Sequence, residues 1–300
     1  MKNLFVFCCL VLQLLFFSSC DIDDTTPNPK QRLPFENLNE LFSRQDIDAD
    51  HNTINASNNA TITTSSGAKV VITAESFKKS NETIFGNVEI ITKELFRKSD
   101  MILLNKPSTS NNTIFEYAGI IYFDAIQNNV GVDLQNPISV TLPIHDQVSG
   151  LENINHYNHM GTWMLVNNSQ VDVDTNNLTL QFYSDDQGWM CGAMQSSFTN
   201  LTSATASPFG YGTILTDITG FVVLSDVNTV IKMDGDVNSI KVSKSNIPSG
   251  VEASIVIIAM DHFQLFVGIK TLEITDNLSI EIKMNETTED GLAEFLQTLD

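Results

Sequence analysis

The chain is poor in cations, in cysteine and in apolar runs beyond its first twenty residues. Sixteen Lys and Arg stand against 36 Asp and Glu in 300 residues, a net charge of −20. Such a surface repels phosphate backbones and anionic headgroups, which excludes nucleic acid as a partner and leaves no electrostatic route to a membrane. Four cysteines occur, and Cys8, Cys9 and Cys20 all fall within the first twenty positions. Cys191 is the one thiol of the remainder, so no disulfide can staple the body and its stability must come from buried apolar surface. A free cysteine reads first as a small buried hydrophobe; a reactive one needs an accessible, electropositive setting. No Gly-x-Ser-x-Gly elbow and no His-Glu-x-x-His frame occurs. A paired-carboxylate hydrolase is defined by geometry, so spacing singles out no pair among so many acids.

The beginning of the chain carries the strongest pattern. Met1-Lys2-Asn3 is followed by 14 uncharged residues, 4–17, and then by Ser18-Ser19-Cys20. A positive start, a short apolar stretch and small residues at a cut are the anatomy of an export signal. As a helix those residues reach about 21 Å, short of the roughly 30 Å hydrocarbon core, so the stretch is too short for a permanent span. Ser18-Ser19-Cys20 resembles the lipobox of bacterial lipoproteins, with Phe17 where Leu is usual. The resemblance implies that Cys20 receives the lipid and becomes the mature N-terminus. Asp21, Asp23 and Asp24 follow at once. They resemble the acidic export signal of Bacteroidota surface lipoproteins. In enteric bacteria an Asp after the lipidated cysteine resembles a retention signal for the inner membrane; a run of three acids favours export. Loss of residues 1–19 removes Lys2 and takes the net charge to −21. Membrane attachment is therefore expected through the anchor on Cys20, where two or more acyl chains give stable binding.

Residues 21–34 hold three prolines, acids and threonines without apolar period, which predicts a flexible tether. Asp24-Thr25-Thr26 also resembles the short O-glycosylation motif of Bacteroidota. Phe35, Leu38, Leu41 and Phe42 fall at helical spacing. Short alternating runs then follow one another. Residues 60–64 and 69–73 flank Ser65-Ser66-Gly67, and 170–174 and 178–182 flank Thr175-Asn176-Asn177, two hairpin signals. Further runs cover 138–142, 221–224, 254–259, 263–269 and 278–282. A Ser/Thr/Ala/Gly-rich stretch at 196–212 marks a seam. Thr287-Thr288-Glu289-Asp290 opens a last helix whose stripe is Leu292, Phe295, Leu296 and Leu299. That stripe is expected to dock on the C-terminal sheet and to leave the preceding domain's stability untouched. The pattern predicts a mainly β chain: signal 1–19, lipidated cysteine, tether and short helix 20–45, a first antiparallel β-sandwich 46–190, and a second 191–300 ending in a helix.

Candidate chemistry is sparse. Asp and Asn alternate at Asp46-Ile47-Asp48-Ala49-Asp50, Asp172-Val173-Asp174-Thr175-Asn176 and Asp234-Gly235-Asp236-Val237-Asn238. An EF-hand loop needs Gly at its sixth and Glu at its twelfth place, and all three fail. Asp234 and Asp236 are the best candidates for a calcium site of another kind. His156 and His159, with His145 or Asp146, are the candidate ligands for zinc or copper. No cofactor is expected.

Several segments together resemble a family of Bacteroidota surface lipoproteins with a ZU5-like β-sandwich. They are residues 67–77 (GAKVVITAESF), Gly86-Asn87-Val88-Glu89-Ile90, residues 98–103 and the Glu116-Tyr117-Ala118-Gly119-Ile120-Ile121-Tyr122 run. Gly161-Thr162-Trp163 and Gly188-Trp189-Met190-Cys191 resemble its linker into a second β-domain. Thr73 stands where that pattern has Pro. Met190-Cys191-Gly192 replaces its polar triplet, so no polar role carries over. The resemblance spans residues 45–300 and implies a scaffold or interaction module without activity. The expected function is a non-enzymatic lipoprotein of the outer membrane, facing the cell exterior and acting as a binding or structural module, with another outer-membrane protein or a glycan as candidate partner. One alternative is a glycan-binding component of a nutrient-uptake system, with Trp163, Tyr183, Trp189, Phe209 and Tyr211 as a stacking face. Another is a hydrolase of unknown substrate.

Overall fold

Alternation decides where the strands form and which faces they bury. In a computed structural model the described residues are 32–110, 113–144 and 150–300. Cys20, the acidic cluster, His145 and Asp146 lie outside them. Residues Leu33–Asp300 form one compact unit. Strands dominate it, nearly all antiparallel, with short helices at Leu38–Arg44, Lys98–Leu103 and Glu289–Leu296. The mainly β architecture with a C-terminal helix is the expected one.

The first region is a sandwich. Its larger sheet runs Asp50–Asn55, Asn87–Leu95, Thr113–Gln127, Gly188–Gln195, Asn155–His159, Trp163–Leu165 in spatial order. Its smaller sheet runs Val171–Asp174, Thr179–Ser184, Ile138–Pro143, Lys69–Ile72, Ala60–Thr63. Both expected hairpins are present. Val88, Ile90, Ile121, Phe123, Val140, Leu180 and Phe182 fill the space between the sheets. Each alternates with neighbours that point to the opposite face of its sheet, as strand geometry requires.

The second region curls one sheet almost into a barrel. Leu278–Lys283 pairs with Leu201–Phe209, the one parallel pair among the described residues, at one end of the strand order. Asn285–Thr287 pairs with Leu265–Glu273 at the other end. Only Met284 separates those two end strands, and its N–H donates to Phe209 O at 2.9 Å. The two expected sandwich layers are thus opposite walls of one sheet, with Ala206, Val222, Met233, Val242, Ile257 and Phe266 between them. Glycine permits the closest approaches: a Cβ on Gly235 would sit 1.8 Å from Ile218 O, and one on Gly268 would sit 2.6 Å from Lys283 O.

The two regions share a third apolar layer. On the central strand Tyr117 and Ile120 face one side, while Ala118 and Ile121 face the sandwich interior. This phase change comes from a bulge, where Gly192 opposes Gly119 but Ala193 opposes Tyr117. In Glu252–Met260, Ile255 and Ile257 point into the barrel while Val256 and Ile258 point out of it. Tyr117, Ile120, Phe221, Val256 and Ile258 belong to one cluster, together with Leu41, Met101, Leu292 and Leu296 from the three helices. Backbone polar groups are matched across the layer as burial requires. Ser108 N donates to Val230 O at 2.6 Å, Val230 N to Ser108 Oγ at 2.9 Å, and Thr229 Oγ1 to Phe115 O at 2.9 Å. The chain leaves the first sheet at Gln195 and enters the barrel at Leu201, so Cys191 lies within the first sheet.

The terminal helix therefore does something other than expected. Thr288 caps it, its Oγ1 accepting from Gly291 N at 3.0 Å. Its buried residues, Leu292 and Leu296, pack toward the Lys98–Leu103 helix of the first region, and Ser99 Oγ donates to Asp300 Oδ2 at 2.6 Å. The stripe closes the shared layer instead of serving the barrel alone. Leu296→Asp should lower stability by more than about 3 kcal/mol, since it removes a buried side chain and leaves an unpaired charge. Both regions should melt earlier together by circular dichroism; a variant in which only a part melts early would contradict the shared layer.

Candidate functional site

The structure separates the residues named as metal ligands. A strand, not a loop, holds the histidine pair, so positions three apart point to opposite faces. His156 stacks on Phe182 inside the sandwich, with ring centroids 4.1 Å apart. His159 meets Trp163 edge-on at 5.0 Å on the other face. Asp236 turns its carboxylate onto its own hairpin, accepting from Asn238 N at 3.0 Å and Ser239 Oγ at 2.5 Å. Asp234 is 82 % exposed and lies 3.6 Å from Lys244. Among the described residues no three His, Cys, Asp or Glu side chains come close enough to hold a metal ion. Gly235, between the two acids, serves the barrel's close packing instead.

Cys191 is sealed in the shared layer, and burial pushes its thiol well above the usual range. A thiol held protonated is a poor nucleophile.

One cleft, about 590 Å³, is lined by carboxylates including Asp46, Asp50, Glu94 and Asp100. They serve the fold. Asp50 Oδ2 accepts from Ser65 N at 2.9 Å and Oγ at 3.2 Å, and Glu94 Oε2 from Ser66 N at 3.3 Å, which ties the Ser65-Ser66-Gly67 turn to the larger sheet. Asp100 receives Arg97 at 2.8 and 3.1 Å. Burial raises the Asp100 carboxyl more than Arg97 lowers it. Thr92 Oγ1 and Glu94 Oε1 are buried there without a protein partner.

A smaller cleft of about 280 Å³ has a different character. Lys93, Tyr122 and Trp189 are direct cross-strand partners on three adjacent strands, so their side chains form a row on one face. The Tyr122 and Trp189 ring centroids lie 5.3 Å apart with the planes tilted 55°. Lys93 Nζ sits 5.7 Å from the Tyr122 centroid and bonds Asp46 at 2.5 and 2.8 Å. Burial works to raise the Asp46 carboxyl, but Lys93 and the Ile47 N–H outweigh it and hold the group below its ordinary value. Tyr122 OH donates to Asp124 Oδ2 at 3.3 Å. Phe42 and Leu104 form one wall, and Lys106, its Nζ 3.3 Å from His159 Nδ1, completes the rim.

Of the five aromatics expected to form a stacking face, only Trp189 lines this cleft. Trp163 is buried, Tyr183 is exposed on the smaller sheet, and Phe209 and Tyr211 belong to the barrel region. Tyr122 was legible only as part of an apolar strand; its place directly opposite Trp189 depends on strand pairing that no local pattern carries. No protein-family model matches the chain, and no curated protein matches it.

Both histidines of the Asn155–His159 strand couple stability to pH. Burial, foremost, pushes His156 to about 4; burial and then Lys106 push His159 to about 4. An unfolded imidazole titrates near 6.5, so between about 6.5 and 4 the unfolded chain binds more protons, and stability falls as pH drops through that window. Between pH 7 and 5.5 the loss should be about 1 kcal/mol for His156 and less for the half-buried His159. Urea midpoints measured at the two pH values check this: His156→Gln should flatten the dependence, and equal wild-type midpoints would contradict it.

Proposed function

We propose that this chain is a non-enzymatic lipoprotein of the outer membrane, displayed on the cell exterior and acting as a binding module. Cys20 carries the lipid, the residues between it and Leu33 are the tether, and the body from Leu33 is what the tether presents. The order of the first 24 residues, from the charged start through Ser18-Ser19-Cys20 to the acids, supports the anchor and its direction. The resemblance of residues 45–300 to surface lipoproteins with a ZU5-like domain agrees with it. The observation that carries the binding role is the half-buried Tyr122–Trp189 pair. It stays open at the margin of a body whose other large rings mostly go into packing. The sealed thiol and the packed histidines support a non-catalytic reading.

Labelled palmitate and external protease test the proposal in the same cells. Wild-type protein should take up the label and lose its body to protease added outside. Cys20→Ala should abolish labelling and leave the membrane fraction. Replacing Asp21, Asp23 and Asp24 by Ala should keep the label but shield the body. Labelling of Cys20→Ala, or equal protease sensitivity of the acidic-cluster variant, would overturn the corresponding part.

A further inference from the structure

We propose that the Tyr122–Trp189 cleft binds one ring of an uncharged saccharide, its apolar face on the two aromatic rings and its hydroxyls on the Asp46–Lys93 pair. This rests on the binding-module reading and names that module's ligand.

Position comes first. Ile120 and Cys191 are fully buried in the shared layer, and Tyr122 and Trp189 stand two residues further along the same strands, on the same face. Alternation thus puts both rings where the apolar cover ends. One side of Trp189 is anchored against the shared cluster, and Tyr122 is pinned through its hydroxyl to Asp124. Rings fixed before a ligand arrives lose little side-chain freedom on binding.

Size and charge narrow the ligand. A volume near 280 Å³ lies at the lower limit for small-molecule sites, room for one sugar ring and too little for a drug-sized cofactor. The cleft's cations are occupied: Lys93 bonds Asp46, and Lys106 sits 3.3 Å from His159 Nδ1. A phosphate or carboxylate would have to displace these contacts and approach a chain of net charge −20. A hydroxyl both donates and accepts, so it can meet carboxylate and ammonium together without breaking their pair. The Asp46 carboxylate, bonded to Lys93 Nζ at 2.5 and 2.8 Å, is an acceptor for such a hydroxyl.

Affinity electrophoresis of the detergent-solubilised full chain tests the proposal, in native gels cast with dextran, laminarin, galactomannan or arabinoxylan, and with polygalacturonate as the anionic control. At least one neutral polymer should retard the wild type. Tyr122→Ala and Trp189→Ala should weaken retardation at least tenfold, while Trp189→Phe keeps most of it. Oligosaccharides from the retarding polymer should shift tryptophan emission in the wild type but not in Trp189→Phe. Melting curves accompany each variant; should Trp189→Ala melt early, Tyr122→Ala and the Trp189→Phe emission decide. No retardation by any neutral polymer, unchanged retardation in Tyr122→Ala, or stronger retardation by polygalacturonate would overturn the saccharide. A photo-crosslinker placed at Ser43, an exposed residue of the cleft's rim, in intact cells separates the two levels. A discrete protein adduct without polysaccharide retardation removes the saccharide and leaves the binding module; neither signal removes both.

Discussion

The apolar layer between the larger sheet and the outer wall of the barrel is the constraint on which the rest depends. It turns strands that would each have one wet face into strands dry on both. Thr113–Gln127 and Glu252–Met260 are the clearest cases, each sending successive side chains into two different clusters. An antiparallel sheet can face water on one side, and such a face is ordinarily polar. Here both outward faces are apolar over the contact, so neither could stand alone without exposing it. The three short helices fill the margins. Phe42 of Leu38–Arg44 meets Phe221 of the barrel edge to face at 6.2 Å, and the N–H of Leu38 is held by Asp217 at 2.8 Å. Helices of six to eight residues are too short to persist in water, so they exist because the layer needs them.

The candidate site is a by-product of where that layer stops. Forward from Ile120 to Tyr122 and backward from Cys191 to Trp189 on the antiparallel neighbour, one pleat repeat leads from full burial to partial exposure. A large ring at such a margin keeps its position through packing while one face stays available. The polar rim is drawn from elsewhere: Asp46 follows the first helix, Lys93 lies on the neighbouring strand, and Lys106 comes just after the second helix. The site therefore joins residues far apart in sequence. It should be as rigid as the layer beside it.

What the sequence made legible was local. The two hairpins, the helix near Leu38 and the terminal helix each carry their turn or cap residues within a few positions, and each formed. The non-local features were hidden. Barrel closure depends on Leu278–Lys283 finding Leu201–Phe209 in parallel, a pairing no neighbouring residue announces. Burial on both faces shows in sequence only as an apolar run, which a reader expecting one wet face assigns to a single sandwich. The histidine pair misled for a related reason: spacing of three means one face on a helix and two faces on a strand, so His156 and His159 parted as soon as Asn155–His159 joined the sheet. Asp234 and Asp236 look like ligands in the sequence because turn formers and calcium ligands are the same residues.

The shared layer makes one direct claim about energetics, that the sandwich and the barrel open together. Native-state hydrogen exchange of the Ile120 amide, in the larger sheet, and the Val256 amide, in the barrel wall, measures it. Both should exchange through the same global opening, with equal free energies and equal slopes against low concentrations of urea. Opening free energies that differ by more than about 1 kcal/mol, with different slopes, would show two regions unfolding separately and would contradict the account.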